Sequence, residues 1–281
     1  MLPKKLNNCW IDHLRCIRLM EAKLNHILKH LAWVTMREME KIEGISDMQL
    51  GFRTRRTTYQ AIMCIISMID HAHQARVGFA ISDTDCKSAF NCCILEIIHL
   101  GLLSKGTPDN IVTFLHNHLT KTQFNVIAGG FTSKNRYRGG STSFRSGQGG
   151  GASSFHWNIN HDITNKVLEA SETQVCVICH PITWEVRLNN GIVFADNLTQ
   201  FLTSSIEQRS NDTNISTLQQ SVQLANNCLR ASGGSFANPK WSFHHIDIYR
   251  KGTLRYVPNS RFTIQPTPTS DHQIFEHIKI T

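Results

Sequence analysis

The stretch "IVFADNLTQFL", from Ile192 to Leu202, places two short apolar runs on either side of the polar pair Asp196 and Asn197. Apolar runs that flank a short polar pair are typical of two β-strands joined by a tight turn. The pattern therefore predicts a hairpin with Asp196 and Asn197 at its tip. A carboxylate in this position lies at the edge of a sheet, where it can meet a second acidic side chain from another strand.

The second acidic side chain follows a strand that the sequence predicts earlier in the chain. The segment "VGFAISDTD" (residues 77–85) alternates apolar and polar residues as a half-buried strand does, and Asp85 ends it. Two aspartates at strand ends suit metal-assisted nucleotidyl transfer, in which two Mg²⁺ ions about 4 Å apart hold the attacking and leaving oxygens. Taken singly, each of these aspartates is also a common turn residue.

Helical and strand patterns alternate along the rest of the chain. Helical spacing covers residues 11–31, with Leu14, Ile17, Leu24, Ile27, Leu28 and Leu31 on the predicted buried face, and resumes at about Thr57 with a stripe of Tyr59, Ile62, Ile66 and Ile69. Further helices are predicted at 110–119, 153–170 and 216–231. Asn190-Gly191 predicts a hairpin that joins the strand "WEVRL" to "IVFA". This mixture of helices and hairpins predicts an α+β fold.

Composition limits the classes of function. The chain has 281 residues, a net charge of +8, nine Cys and no run of membrane-spanning length. One large domain or two small ones are expected, with a polyanion as the favoured partner. The odd number of Cys and a start without an apolar leader predict an intracellular protein, cytoplasmic or nuclear, that does not contact a membrane.

A Gly-, Ser- and Arg-rich run occupies residues 129–154. It has the composition of a flexible linker. However, no acidic residue occurs between Asp109 and Asp162, whereas five basic residues do: Lys121, Lys134, Arg136, Arg138 and Arg145. This charge pattern favours contact with nucleic acid.

Three segments occur in the order "DTDCKSAFN", "SGQGGGASSFHW" and "VFADNL", and together they resemble motifs A, B and C of reverse transcriptases. "ASGGSFANPKW" is similar to the lysine segment that follows motif C, and "DMQLGFRTRRT" is similar to part of the fingers. The resemblance runs from about Arg18 to Tyr249 and is strongest to retroelement-type sequences of diatoms and other microalgae. It implies a right-hand polymerase palm, an antiparallel sheet packed on helices, with partial fingers.

The resemblance also implies a role for each matching residue. Asp85 and Asp196 match the metal ligands, and Phe90 matches the aromatic gate that excludes a ribose 2′-hydroxyl. Gln148 and Gly149 match the backbone that lies against nucleotide and template, Arg53 and Arg56 the basic fingers residues, and Lys240 the lysine near the leaving pyrophosphate. Each role has a plain structural alternative: a core Phe, a solvated basic loop or a surface lysine.

Asn197 departs from the motif C pattern, in which two aspartates follow one another. An Asn oxygen can ligate Mg²⁺ but brings no negative charge, so metal affinity should fall. Polymerases of some negative-strand RNA viruses look similar, with Gly-Asp-Asn at this turn. Because only about 40 residues follow Lys240, we expect little or no thumb and therefore weak binding of a primer-template.

The resulting division of the chain has four parts: a helical segment (1–45), a fingers-like segment (46–76), a palm (77–250) and a C-terminal extension that begins a thumb or connection (251–281). The expected function is addition of deoxynucleotides to a DNA or RNA primer on an RNA template, with Mg²⁺ or alternatively Mn²⁺. The alternatives are an inactive nucleic-acid-binding remnant and a zinc or haem module built on "CVICH" (176–180).

Overall fold

A computed structural model describes most of the chain. The described residues are 2–3, 14–15, 17, 19–75, 77–87, 89–128, 130–138, 146–171, 176–179, 186–189, 191–203, 211–237, 241–249 and 253–256. They divide into two compact units. Unit 1 comprises Met1–Ile45 and Ser88–Asn160, and unit 2 comprises Ser46–Lys87 and His161–Thr281.

Helices and short strands alternate throughout this part of the chain. The helices are α1 (Ala22–Lys41), α2 (Thr58–Ala75), α3 (Ala89–Cys92), α4 (Leu95–Ser104), α5 (Asp109–Lys121), α6 (Ser153–Ala170) and α7 (Asn211–Ala231). The strands are β1 (Leu2–Pro3), β2 (Leu14–Arg15), β3 (Phe79–Asp85), β4 (Gln123–Phe124), β5 (Ile127–Ala128), β6 (Phe131–Thr132), β7 (Tyr137–Arg138), β8 (Cys176–Cys179), β9 (Val186–Asn189), β10 (Ile192–Phe194), β11 (Asn197–Thr203), β12 (Ser242–Tyr249) and β13 (Thr253–Tyr256).

Unit 2 is built on an antiparallel sheet with the strand order β10-β11-β3-β12-β13. The central strand is β3, which pairs along its whole length with β11 and along most of its length with β12. Because successive side chains of a strand point to opposite faces, Ile81, Asp83 and Asp85 share one face of this sheet. Asn197 and Thr199 lie on the same face, directly opposite Asp85 and Asp83.

Helices cover both faces of the sheet, but only one face is covered completely enough to bury its polar residues. On one side α7 packs against β3 and β11, and the Gln200 amide donates to the Ser221 hydroxyl at 2.6 Å. On the other side α2 contributes Ala61 and Met68 to a core with Phe201. This second core covers the Ile81 end of the face and leaves the Asp85 end partly exposed.

Unit 1 is mainly helical. Helices α4 and α5 pack together through fully buried side chains that include Leu102, Val112 and Leu115. Gly101 lets α6 approach α4, because a Cβ at this position would lie 2.8 Å from the Cγ2 atom of Ile159. The first part of α6 belongs to this unit, and its remainder, from His161, belongs to unit 2.

The first predicted helix was placed wrongly. Helix α1 begins at Ala22, after Glu21 caps it by accepting a hydrogen bond from the Leu24 amide, and it runs to Lys41. Its buried residues are Leu28, Ala32, Met36 and Met39, whereas Ile17 and Ile27 are exposed. The apolar spacing upstream of Glu21 therefore does not continue one helical face.

Two further expectations need correction. Within the described residues β9 pairs with β8 and β10 pairs with β11, and the predicted pairing of β9 with β10 is absent; Asn190 itself lies outside the described residues. The stripe on α2 is also turned outward, since Tyr59, Ile62 and Ile66 are exposed while Ala61, Met68 and Ala72 are buried.

The α+β prediction, with an antiparallel sheet packed on helices, is confirmed. None of the helices in the described residues is long and apolar enough to cross a lipid bilayer.

Candidate active site

The turn between β10 and β11 presents Asp196 at the tip of the predicted hairpin. Phe194 and Asn197 form the last pair of the hairpin, so its two turn residues are Ala195 and Asp196. The prediction that Asn197 shares the tip with Asp196 was wrong, because Asn197 already pairs as the first residue of β11. Ala195 has a φ of 59°, and positive φ at the first turn position is the type II′ pattern, which matches the right-handed twist of the strands. Glycine is the usual residue there, so Ala195 carries local backbone strain.

Asp85 and Asp196 meet at one corner of the sheet. Asp85 lies opposite Asn197 in the β3–β11 register, and the Cys86 amide donates to the Asp196 carbonyl at 2.9 Å. Asp85 and Asp196 are half-buried, and Asn197 is exposed. The structure thus brings together three of the predicted site residues.

Two strands that are far apart in the sequence form this corner. Cys86 directly follows Asp85, and its backbone amide makes the hydrogen bond that ties the end of β3 to the turn. Farther along the same pair of strands, Asp83 and Thr199 are hydrogen-bonded across a separation of 116 residues. The site therefore depends on long-range strand pairing rather than on a local motif.

A segment from Ser46 to Gly51 supports the turn from outside the sheet. The Val193 amide donates to the Met48 carbonyl at 2.8 Å, and the Leu50 amide donates to the Val193 carbonyl at 2.8 Å. Gly51 continues this contact, because a Cβ at Gly51 would overlap the Ala195 nitrogen. Only glycine allows two backbones to approach so closely.

Helix α6 anchors the start of the same supporting segment. The Ser46 amide donates to the Asp162 carboxylate at 2.7 Å, and both residues are buried. Asp162 lies on the part of α6 that belongs to unit 2. A hydrogen-bonded chain therefore runs from α6 through the supporting segment to the strand that carries the turn.

The two predicted basic residues both lie near the Asp47 carboxylate, at 3.7 Å for Arg53 and 3.6 Å for Arg56, but they differ in exposure. The Arg53 side chain is only 7% exposed, and its Nη1 donates to the carbonyls of Ser46 and Gln49 at 3.0 and 3.2 Å. The Arg56 side chain is 38% exposed and lies 3.6 Å from the Asp47 carboxylate. Arg53 thus holds the supporting segment together, and Arg56 is the more accessible of the two to a phosphate.

Asp83 is a site residue that the sequence reasoning missed. Its Oδ1 accepts a hydrogen bond from the Thr199 hydroxyl at 2.8 Å. Burial raises the pKa of the Asp83 carboxyl; the Thr199 hydrogen bond opposes that rise and the nearby charge of Asp85 adds to it. The sequence pattern could have identified Asp83, because strand alternation puts it on the same face as Asp85.

Phe90, Gln148 and Gly149 belong to unit 1. The Gly147 amide donates to the Phe90 carbonyl at 3.1 Å, which ties the segment before Gln148 to α3. The half-buried Phe90 ring lies 6.3 Å from the Trp157 ring between centroids. Gly149 has a φ of 100°, a conformation that favours glycine. The gate and template roles of these residues stay predictions.

Two other predictions fall partly or wholly outside the described residues. Lys240 is outside them, as is His180 of the "CVICH" segment. Cys176 and Cys179 form the ends of β8. Among the residues that the structure describes, no group of three His, Cys, Asp or Glu side chains is arranged to hold a metal ion.

The corner still offers the kind of donors that Mg²⁺ takes. Mg²⁺ is commonly bound through one or two carboxylates and several waters rather than by a cage of protein ligands. Asp85 and Asp196 are two such carboxylates, and the Asn197 amide oxygen is a neutral third donor at the same corner. The residues therefore fit Mg²⁺ with less negative charge than three carboxylates would supply.

No protein-family model and no curated protein matches the sequence. Among solved structures, apo telomerase from Candida tropicalis, truncated from the C-terminal domain, matches with a TM-score of 0.53 at 10% identity, covering 84% of this chain and 43% of that one. The chain has a reverse-transcriptase-like fold. Telomerase from Candida albicans in complex with a fragment of telomeric RNA also matches, with a TM-score of 0.46 at 9% identity, over 84% of this chain and 36% of that one. This chain spans less than half the length of these telomerase chains.

Proposed function

We propose that the chain is a reverse-transcriptase-like nucleotidyl transferase of retroelement type, which adds deoxynucleotides to a primer 3′ end on an RNA template. The observation that carries this proposal is the meeting of Asp85 with Asp196 at one corner of the sheet. The fold shared with telomerase supports it, since that fold is the scaffold of a polymerase. The resemblance of the three motifs to those of reverse transcriptases supports the RNA-template assignment, and Phe90 at the position of the aromatic gate supports deoxynucleotide use.

Each residue has a defined task in this proposal. Asp85 and Asp196 would hold the cation, and Asn197 would add an uncharged oxygen. When bound, Mg²⁺ supplies Lewis-acid stabilisation of the 3′-oxygen and of the leaving pyrophosphate. Phe90 excludes a ribose 2′-hydroxyl, and the backbone at Gln148 and Gly149 lies against the nucleotide.

Basic residues supply the remaining contacts. Arg56 and Lys240 neutralise phosphate charge, and Arg53 keeps the supporting segment in shape. Exposed basic residues Lys121, Lys134 and Arg136 lie in a stretch of sequence without acidic residues, which suits a nucleic-acid backbone.

Incorporation of labelled dTTP on oligo(dT) annealed to poly(rA) tests the proposal, with Mg²⁺ and then with Mn²⁺. We compare the natural chain with Asn197→Asp and Asp85→Asn, and use Asp109→Asn, which removes an exposed carboxylate at the start of α5, as the matched control. We expect incorporation that increases in Asn197→Asp, disappears in Asp85→Asn and is unchanged in Asp109→Asn. Incorporation that survives in Asp85→Asn would overturn the assignment of this corner.

The second candidate function is nucleic-acid binding without catalysis. It is favoured by one observation, the neutral Asn197 at the position opposite Asp85. Binding of a primer-template that weakens steeply with salt but is indifferent to Mg²⁺, together with no incorporation by any variant, would support this second function.

A further inference from the structure

Helix α2 displays a row of large apolar side chains to solvent. Tyr59, Ile62, Met63 and Ile66 are 68%, 48%, 40% and 43% exposed, and we call these four residues the α2 stripe. Their spacing of three and four residues puts them along one side of the helix. The buried residues of α2 are instead Ala61, Met68 and Ala72. A contiguous apolar row in water is typical of a protein interface.

We propose that the α2 stripe binds the same stripe of a second copy of the chain, with the two α2 helices antiparallel. A two-fold axis between Ile62 and Met63 sets Tyr59 opposite Ile66 of the second copy. The same axis sets Ile62 opposite Met63 of the second copy. The stripe is therefore complementary to itself, as the interface of a two-fold dimer must be.

Charges at the two ends of α2 favour this antiparallel partner. Arg55 and Arg56 precede the helix, and Asp70 follows the stripe by one turn. Asp70 lies on the same side of α2 as the stripe, and the axis that pairs Tyr59 with Ile66 brings Asp70 of one copy toward the segment before Thr58 of the other, which carries Arg55 and Arg56. The antiparallel arrangement therefore brings the basic end of one helix to the acidic residue of the other. A parallel pair would instead oppose like charges.

The existing ion pair of Arg56 does not compete strongly with this contact. Its partner, Asp47, has a side chain that is 84% exposed, and the two groups lie 3.6 Å apart. Exposed pairs of this kind contribute little to stability. Arg55 is exposed as well, so two basic side chains are accessible at this end of α2.

Sedimentation equilibrium of the full chain tests the proposal, and it does not depend on polymerase activity. We expect a dimer whose Kd rises by about a hundredfold in Ile62→Lys/Ile66→Lys, because central apolar residues dominate such interfaces. The matched control is Cys64→Lys, an exposed position on α2 that lies off the stripe, and its Kd should not change. Because all three positions are exposed, the circular-dichroism spectra and Tm of these variants should match those of the natural chain.

A charge-reversal series identifies the partner. Asp70→Arg should raise the dimer Kd by about tenfold, and adding Arg55→Asp and Arg56→Asp should restore it. A monomer at all concentrations, a dimer unaffected by Ile62→Lys/Ile66→Lys, or failure of the reversal to restore dimerisation would each overturn the proposal. If the chain is monomeric and the stripe variants lose binding to RNA or to lipid vesicles, the stripe binds that RNA or lipid instead. This result would also overturn the dimer proposal.

Discussion

Gly51 packs directly against the backbone of Ala195 and leaves no room for a side chain between them. A Cβ at Gly51 would overlap the Ala195 nitrogen and lie 2.8 Å from the Ala195 Cα. Ala195 precedes Asp196 in the hairpin turn and already has a positive φ. The position of the Asp196 carboxylate therefore depends on a glycine that is distant in sequence and has no functional group.

Gly51→Ala should destabilise the protein by about 3 kcal/mol or more, because the new methyl group meets backbone rather than a movable side chain. Gly106→Ala is the control: Gly106 has a φ of 74° and open space around it, so only backbone strain of about 1 kcal/mol is expected. Urea denaturation measures both. An equal loss of unfolding free energy in the two variants would show that the close approach of Gly51 to Ala195 does not contribute to stability.

Arg53→Met should lower the stability of the fold, whereas Arg56→Met should weaken nucleic-acid binding. Arg53→Met removes the donor from two carbonyls of the supporting segment and should cost about 2 kcal/mol. Arg56→Met should change stability by less than about 0.5 kcal/mol, because its side chain is more exposed. Its expected effect is weaker binding to a primer-template and a smaller dependence of that binding on salt. A large loss of stability in Arg56→Met would contradict this division.

His161 should make the fold sensitive to acid. It is fully buried, and burial lowers its pKa to about 4 from the ordinary 6.5. Between these two values the unfolded chain takes up a proton that the folded chain refuses, so stability falls as pH drops, by up to about 1.4 kcal/mol per pH unit. His161→Gln should reduce the slope of stability against pH in this window, and His26→Gln, at an exposed position, should not. Unfolding followed at several pH values measures both slopes.

Asp83→Asn should stabilise the metal-free fold at neutral pH. The pKa of the Asp83 carboxyl is raised mainly by burial, so its charged form opposes folding once pH exceeds that pKa. An Asn oxygen can still accept the hydrogen bond from Thr199. With EDTA present, we expect a higher Tm than that of the natural chain at pH 7 and a smaller difference in acid, where the aspartate is protonated. A Tm difference that grows as pH falls would have the wrong sign for this mechanism.

Local sequence patterns predicted which segments form the strands and turn of the site better than they predicted which strands pair with one another. Alternation identified β3, and the apolar runs around Asp196 identified the β10–β11 turn. The Asn190-Gly191 turn signal predicted the wrong strand pair, because a turn signal does not say which strands pair, and in the described residues β9 pairs with β8. The support from Gly51 could not be predicted, since nothing local to that glycine points to Ala195.

Helical patterns failed for a different physical reason. Apolar spacing shows that a helix has one apolar side but not which side faces the core. In α2 the small residues Ala61 and Ala72 pack inward, while the larger Tyr59 and Ile62 face solvent. In α1 the cap at Glu21 sets the start of the helix, and the apolar residues before it do not extend the helix.

The central place of β3 in the sheet has a kinetic consequence. Its partners β11 and β12 are synthesised more than a hundred residues later, as the 114-residue separation of Thr84 and Leu198 illustrates. Pairing over such distances makes folding slow, because the chain must close a long loop before β3 pairs with either strand. Until then β3 has two open edges, each a template for pairing with another chain. During synthesis, nascent chains that have emerged only as far as α6 should therefore be the form most prone to aggregation.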